Sequence, residues 1–160
     1  MAATASTSGK KKGSTASEGG FSEQERAAIK KRAAELRTEA RRGSTADKAA
    51  ADEADVLAKI AEMPESDRVM AERVHAIVTT VAPDLDPKLY YGQPGYGRKG
   101  KVLCFFRSGQ MDKERYSTFG FSVQANLDAA AGLWPTSYAL IAPTERAWDE
   151  LGELVKQAAS

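Results

Sequence analysis

The sequence predicts an α+β fold: an antiparallel β-sheet with helices packed on one face, preceded by a helical N-terminal extension. Three observations predict it. Helical periodicity occupies the chain up to Pro83, short apolar runs with brief connections follow from 88 to 142, and a last helical pattern closes the chain. At 160 residues and 42% hydrophobic content there is material for one modest core.

Residues 1–20, "MAATASTSGKKKGSTASEGG", are small and polar and hold too little apolar surface to offset chain entropy, so they read as a disordered tail. Ser22 followed by Glu25 forms a capping-box signature, with Phe21 in the staple position, and opens a helix over 22–42 that Gly43 ends. Its apolar stripe of Ile29, Ala33, Leu36 and Ala40 is thin. A second helix over 45–63 has Val56, Leu57 and Ile60 as apolar contacts, and with the first it forms a helical arm, residues 21–62. The "DEAD" run at 52–55 reads as a solvated helix face, because no GxxxxGK[ST] phosphate loop accompanies it.

The domain proper is expected over 63–160. Pro64 and Ser66 open a third helix through Ala82, with Val69, Val74, Ile77, Val78 and Val81 giving a core face. Its His75 is the one histidine of the chain and reads as structural, without a second imidazole to complete a metal set or a triad. Strands are expected in "KLYY", "GYGR", "KVLCFFR", "RYSTFGFS" and "TSYALIA", with Lys99 and Gly100 as a tight hairpin turn. A turn is expected in "SGQMDKE". The closing helix presents Trp148, Leu151, Leu154 and Val155 on one side.

Composition excludes several functions. Lysine plus arginine total 23 against 22 acidic residues, so no global field selects nucleic acid or an anionic membrane. No apolar run approaches the roughly 18–20 residues of a membrane span. A soluble, cytoplasmic chain is expected. The single cysteine, Cys104, excludes an intramolecular disulfide and a cysteine-built metal cage. Set among Val102, Leu103, Phe105 and Phe106 it reads as a buried thiol rather than a nucleophile, and no base stands in evident reach of Ser117 or Thr118. No catalytic residue is assigned, and the chain is read as a non-catalytic binding domain.

The helix ending "HAIVTTVAPD", followed by "YYGQPGYGRKGKVLCFF", resembles the YdhG-like family, part of the YdhG/YjbR/CyaY-like superfamily with frataxin-type folds. The residues that carry the resemblance are Tyr91, Gly92, Gln93, Pro94 and Gly95, then Gly100 and Lys101, within a match over roughly residues 57–158. The resemblance implies an antiparallel sheet with helices on one face and, from some relatives, a role in handing on iron. Carboxylates available for iron are Asp67, Glu72, Asp84 and Asp86, and no motif selects the metal, so none of them is assigned as a ligand.

The residues themselves point elsewhere. Between 88 and 115 stand seven basic side chains, Lys88, Arg98, Lys99, Lys101, Arg107, Lys113 and Arg115, against Asp112 and Glu114, interleaved with tyrosines. Gly92, Gly95 and Gly97 should let the backbone bend and Pro94 stiffen the bend, so that Gln93 and Tyr96 are presented rather than buried. Trp134, held extended before Pro135, is expected to project from a loop that can approach Tyr91 and Tyr96. The expected site for an anionic or aromatic small ligand is therefore Tyr91, Gln93, Tyr96, Arg98, Lys101 and Trp134, with no cofactor assigned. The alternatives are an iron carrier and a protein-interaction module assembling through the helical arm.

Overall fold

A computed structural model describes residues 21–41 and 45–160. The tail expected over 1–20 and the helix stop at Gly43 lie outside the described residues. The elements are α1 (Glu23–Arg41), α2 (Thr45–Glu62), α3 (Glu65–Val81), β1 (Asp86–Tyr90), β2 (Gln93–Arg98), β3 (Lys101–Arg107), α4 (Gly109–Asp112), β4 (Ser117–Phe121), β5 (Ser137–Leu140) and α5 (Glu145–Ala158). The strands form an antiparallel meander in the order β1-β2-β3-β4-β5, and the chain is of the α+β class.

Local chemistry explains the starts and stops. The Ser22 backbone N–H donates to the Glu25 carboxylate at 2.7 Å while the Glu25 N–H donates to Ser22 Oγ at 3.1 Å, the reciprocal capping box. Phe21 stays exposed, so the expected staple is not made. The element missed from sequence is α4: Ser108 caps it by accepting the Met111 N–H, and Lys113, at φ 57°, closes it in the left-handed region. Thr144 caps α5 in the same way through the Ala147 N–H.

Alternation along the strands decides what each face holds. The registers place Tyr96, Cys104, Phe106, Phe119 and Phe121 on one face, all buried. Against them pack Met70, Ala71, Val74 and Val78 from α3 and Trp148, Leu151, Val155 and Ala158 from α5. Helix α2 runs along the edge strand β1 and adds Val56 and Ile60 to the same core. The expected division at residue 62 therefore does not follow the packing: α2 belongs with the core. Only α1 stands apart, and it lies on the opposite face, where Lys88, Tyr90 and Phe105 point. Helices thus cover both faces at the β1 end, an addition to the one-sided packing expected.

Candidate functional site

The six residues singled out from sequence do not gather; strand β2 separates them. Tyr91 and Gly92 form the turn from β1 to β2 at φ 49° and 79°, a two-residue hairpin in which the glycine takes the left-handed conformation without cost. Lys99 and Gly100, at φ 49° and 77°, form the equivalent turn from β2 to β3. The two turns sit at opposite ends of β2, about 20 Å apart at the rise of an extended strand. Tyr91 and Gln93 therefore belong to one end of the sheet and Arg98 and Lys101 to the other. Trp134 precedes β5, at the sheet edge farthest from β1, and packs half-buried against the core, so its expected approach to Tyr91 does not occur.

The expected presentation of Gln93 and Tyr96 is also overturned. Both lie within a paired strand, at 3% and 0% exposure. Pro94 causes no break, because it sits opposite Leu89 in the register position next to the hairpin's closing pair, Tyr90 and Gln93. Gly97 permits a different close approach from the one expected. A Cβ there would fall 2.1 Å from the Lys101 carbonyl oxygen, so the glycine admits the irregular pairing at Tyr96/Gly97 rather than a ligand.

Tyr96 reaches across the core to α3, where its Oη lies 3.1 Å from His75 Nδ1. Burial pushes the Tyr96 phenol far up, so its hydroxyl keeps its proton in the hydrogen bond with Nδ1. The other ring nitrogen of His75, Nε2, lies 3.8 Å from the Glu53 carboxylate of α2. Burial also holds the His75 pKa below its ordinary value, against the opposing pull of Glu53. The Glu53–His75–Tyr96 chain has the order of a proton relay, but its terminal hydroxyl is sealed from solvent. Cys104 is likewise sealed, and burial pushes its thiol up.

At the Tyr91 end a polar knot joins α3, β2 and α4, and it was not foreseen. The buried Asp67 carboxylate accepts from Ser108 Oγ at 2.5 Å, from the Gln110 N–H at 2.9 Å and from Gln110 Nε2 at 3.2 Å. Gln93 accepts the Ser108 N–H at 2.5 Å and donates to Asp112 at 3.0 Å; Asp112 in turn pairs with Arg107 at 2.9 Å. Burial raises the Asp67 pKa, but these hydrogen bonds outweigh it and hold the carboxyl below its usual range. Gln93 is therefore a bracing side chain. The readable signal was Ser108 ahead of a short polar stretch, a helix-cap pattern.

The Lys99–Gly100 end is open. A recess of about 220 Å³ is lined by Arg98, Lys99, Lys101, Leu103 and Gln124. It is built by the segment after β4 folding back on β3: the Ser122 N–H donates to the Leu103 carbonyl at 2.9 Å, and Ser122 Oγ donates to the Val102 carbonyl at 2.5 Å. Ser122 Oγ also accepts the Gln124 N–H at 3.1 Å, which brings Gln124 to the hairpin tip. The Arg98 guanidinium is engaged with Asp84 and the Ala159 carbonyl, tying the hairpin to the end of α5. Lys99 and Lys101 are exposed and form no ion pair among the described residues.

The four carboxylates considered for iron are scattered in their bonding. Asp67 is inside the knot, Asp84 is bound to Arg98, Glu72 lies 3.9 Å from Arg68, and Asp86 begins β1. Among the described residues no group of three or more His, Cys, Asp or Glu side chains gathers into a metal set. No helix among them is long and apolar enough to cross a membrane. Comparison with known protein families, curated proteins and solved structures found no match to this chain.

Proposed function

We propose that this chain binds a small anionic ligand, without converting it, at the tip of the β2–β3 hairpin. The observation that carries the reading is the recess in which Arg98, Lys99 and Lys101 meet with no acidic side chain among its lining residues. Arg98, paired with Asp84, frames the recess, while the Lys99 and Lys101 ammonium groups supply its net positive charge and are left to the ligand. Gln124 adds a neutral donor, and Leu103 a short apolar wall. With Tyr91 at the far end of β2, no aromatic ring lines the recess, so the ligand is recognised by charge and not by stacking. Binding is preferred over turnover because Cys104 and Tyr96, the thiol and phenol of β3 and β2, are both sealed in the core, and the Ser122 hydroxyl is spent on the Val102 carbonyl.

The test is a thermal-shift series on the full chain with inorganic phosphate, sulfate, citrate and a nucleoside monophosphate as probes. At least one should raise Tm in a saturable manner, and the shift should be lost in Lys99→Gln/Lys101→Gln, whose unliganded Tm should stay near that of the parent because both residues are exposed. No shift with any probe, or a shift that persists in the double variant, would refute the reading.

A further inference from the structure

The contacts that hold α1 on the sheet are polar, whereas its larger apolar side chains turn away. Glu39 pairs with Lys88, Glu35 Oε1 accepts the Gly92 N–H at 2.7 Å, the Arg32 guanidinium lies 5.7 Å from the Tyr90 ring centroid, and Gln24 Nε2 donates to the Asp112 carbonyl at 3.0 Å. Ile29 and Leu36, seven residues apart and so on one stripe, are 47% and 49% exposed. A helix held by the hydrophobic effect would be turned the other way. Beneath α1 lies an aromatic strip: Tyr90 packs on Phe105 with centroids 5.3 Å apart and edge-on to Tyr91 at 4.6 Å.

Lys88 is the centre of the contact. Its side chain is buried on the edge strand, where an ammonium group needs a carboxylate partner, and that partner is Glu39 on α1. Asp52 and Asp55 of α2 line the same recess, so Lys88 keeps acidic neighbours and gains water when α1 lifts.

We propose that α1 is a strap latched by the Glu39–Lys88 pair, which opens as a unit while the rest of the chain stays folded and so uncovers the aromatic strip of Tyr90 and Phe105. The latch uses none of the residues that line the anion recess, although Glu39 and Lys88 share a neighbouring recess with Lys99 and Gly100. Opening requires no loss of core, because the buried cluster draws no residue from α1.

The experiment is hydrogen exchange followed by mass spectrometry on the full chain, with tyrosine nitration as a second readout. Glu39→Gln removes the α1 carboxylate that offsets the burial of Lys88 in the closed state, so exchange across 23–41 should rise roughly tenfold while α3, β3 and α5 keep the parent rates. Tyr90 should be nitrated faster in that variant, and Tyr96 should remain protected. Adding Lys88→Gln removes the buried ammonium group that has lost its α1 partner and should restore most of the protection of α1. The proposal is overturned if α1 exchanges at the parent rate in Glu39→Gln, if α3 and β3 lose protection together with α1, or if the double variant restores nothing.

Discussion

Tyr96 and Gln93 illustrate how a residue's role follows from its register. Set among glycines, a tyrosine reads as an exposed ring, yet pairing with Cys104 turns it onto the core face and leaves it fully buried. Tyr96→Ala should therefore cost about 3–5 kcal/mol, the range for removing a large aromatic from a core. Tyr96→Phe should cost about 0.5–1.5 kcal/mol, the worth of the hydrogen bond to His75. Denaturant unfolding of both variants checks the pair; a near-neutral Tyr96→Ala would mean the ring is not packed. Asp67 gives a pH-dependent counterpart. Its carboxyl pKa is lowered in the folded state, so its contribution is present above the ordinary carboxylate value and is lost as pH falls below that value through the lowered one. Asp67→Asn should lower stability at neutral pH by about 1–3 kcal/mol and flatten the acid limb of a stability–pH curve, measured by urea unfolding between about pH 3 and about pH 7. An acid limb unchanged in Asp67→Asn would rule out Asp67 as its source.

Elements were more legible than single residues, for a physical reason. A helix or strand declares itself through a period that many side chains share, so the bounds of α1, α2, α3, β3 and α5 lie close to those expected, although Leu57 and Val69, read as apolar contacts of α2 and α3, are exposed. Where the chain is short or glycine-rich the period fails. "GYGR" reads as a strand, but "GQP" ahead of it looks like an open bend, and pairing with β1 extends the strand back to Gln93. Helix α4 spans four residues and depends on the Ser108 cap rather than on any pattern. The candidate site shows the same limit. The basic residues of the hairpin tip were visible as a local excess of charge, whereas Gln124 enters the recess only because Ser122 bonds back to Val102 and Leu103.

At the scale of the whole molecule the two N-terminal helices part company. Val56 and Ile60 of α2 are 0% and 3% exposed within the core, whereas α1 contributes nothing to the buried cluster. Deleting residues 1–44 should leave a cooperative unfolding transition with a modest loss of stability. Deleting residues 1–62 should abolish that transition, because losing two buried aliphatic side chains alone costs several kcal/mol, a large share of the roughly 5–15 kcal/mol that stabilises a domain. Circular dichroism through a thermal ramp distinguishes the two truncations. A cooperative transition surviving the longer deletion would place α2 outside the core, and loss of the transition in the shorter one would place α1 within it.

What the sequence determined by itself is the class of fold, the order of its elements apart from α4 and the burial of Cys104, because each follows from local spacing and from which side chains avoid water. It also located the positive charge around the second hairpin. Tertiary structure decided which of those residues stand together. Strand β2 is extended, so Tyr91 and Lys101, ten positions apart along the chain, are carried to opposite ends of the sheet. The strand order likewise sends Trp134 to the edge opposite β1. Proximity along a strand is converted into distance at about 3.3 Å per residue, and proximity in space is created by pairing and packing between segments that no local pattern connects.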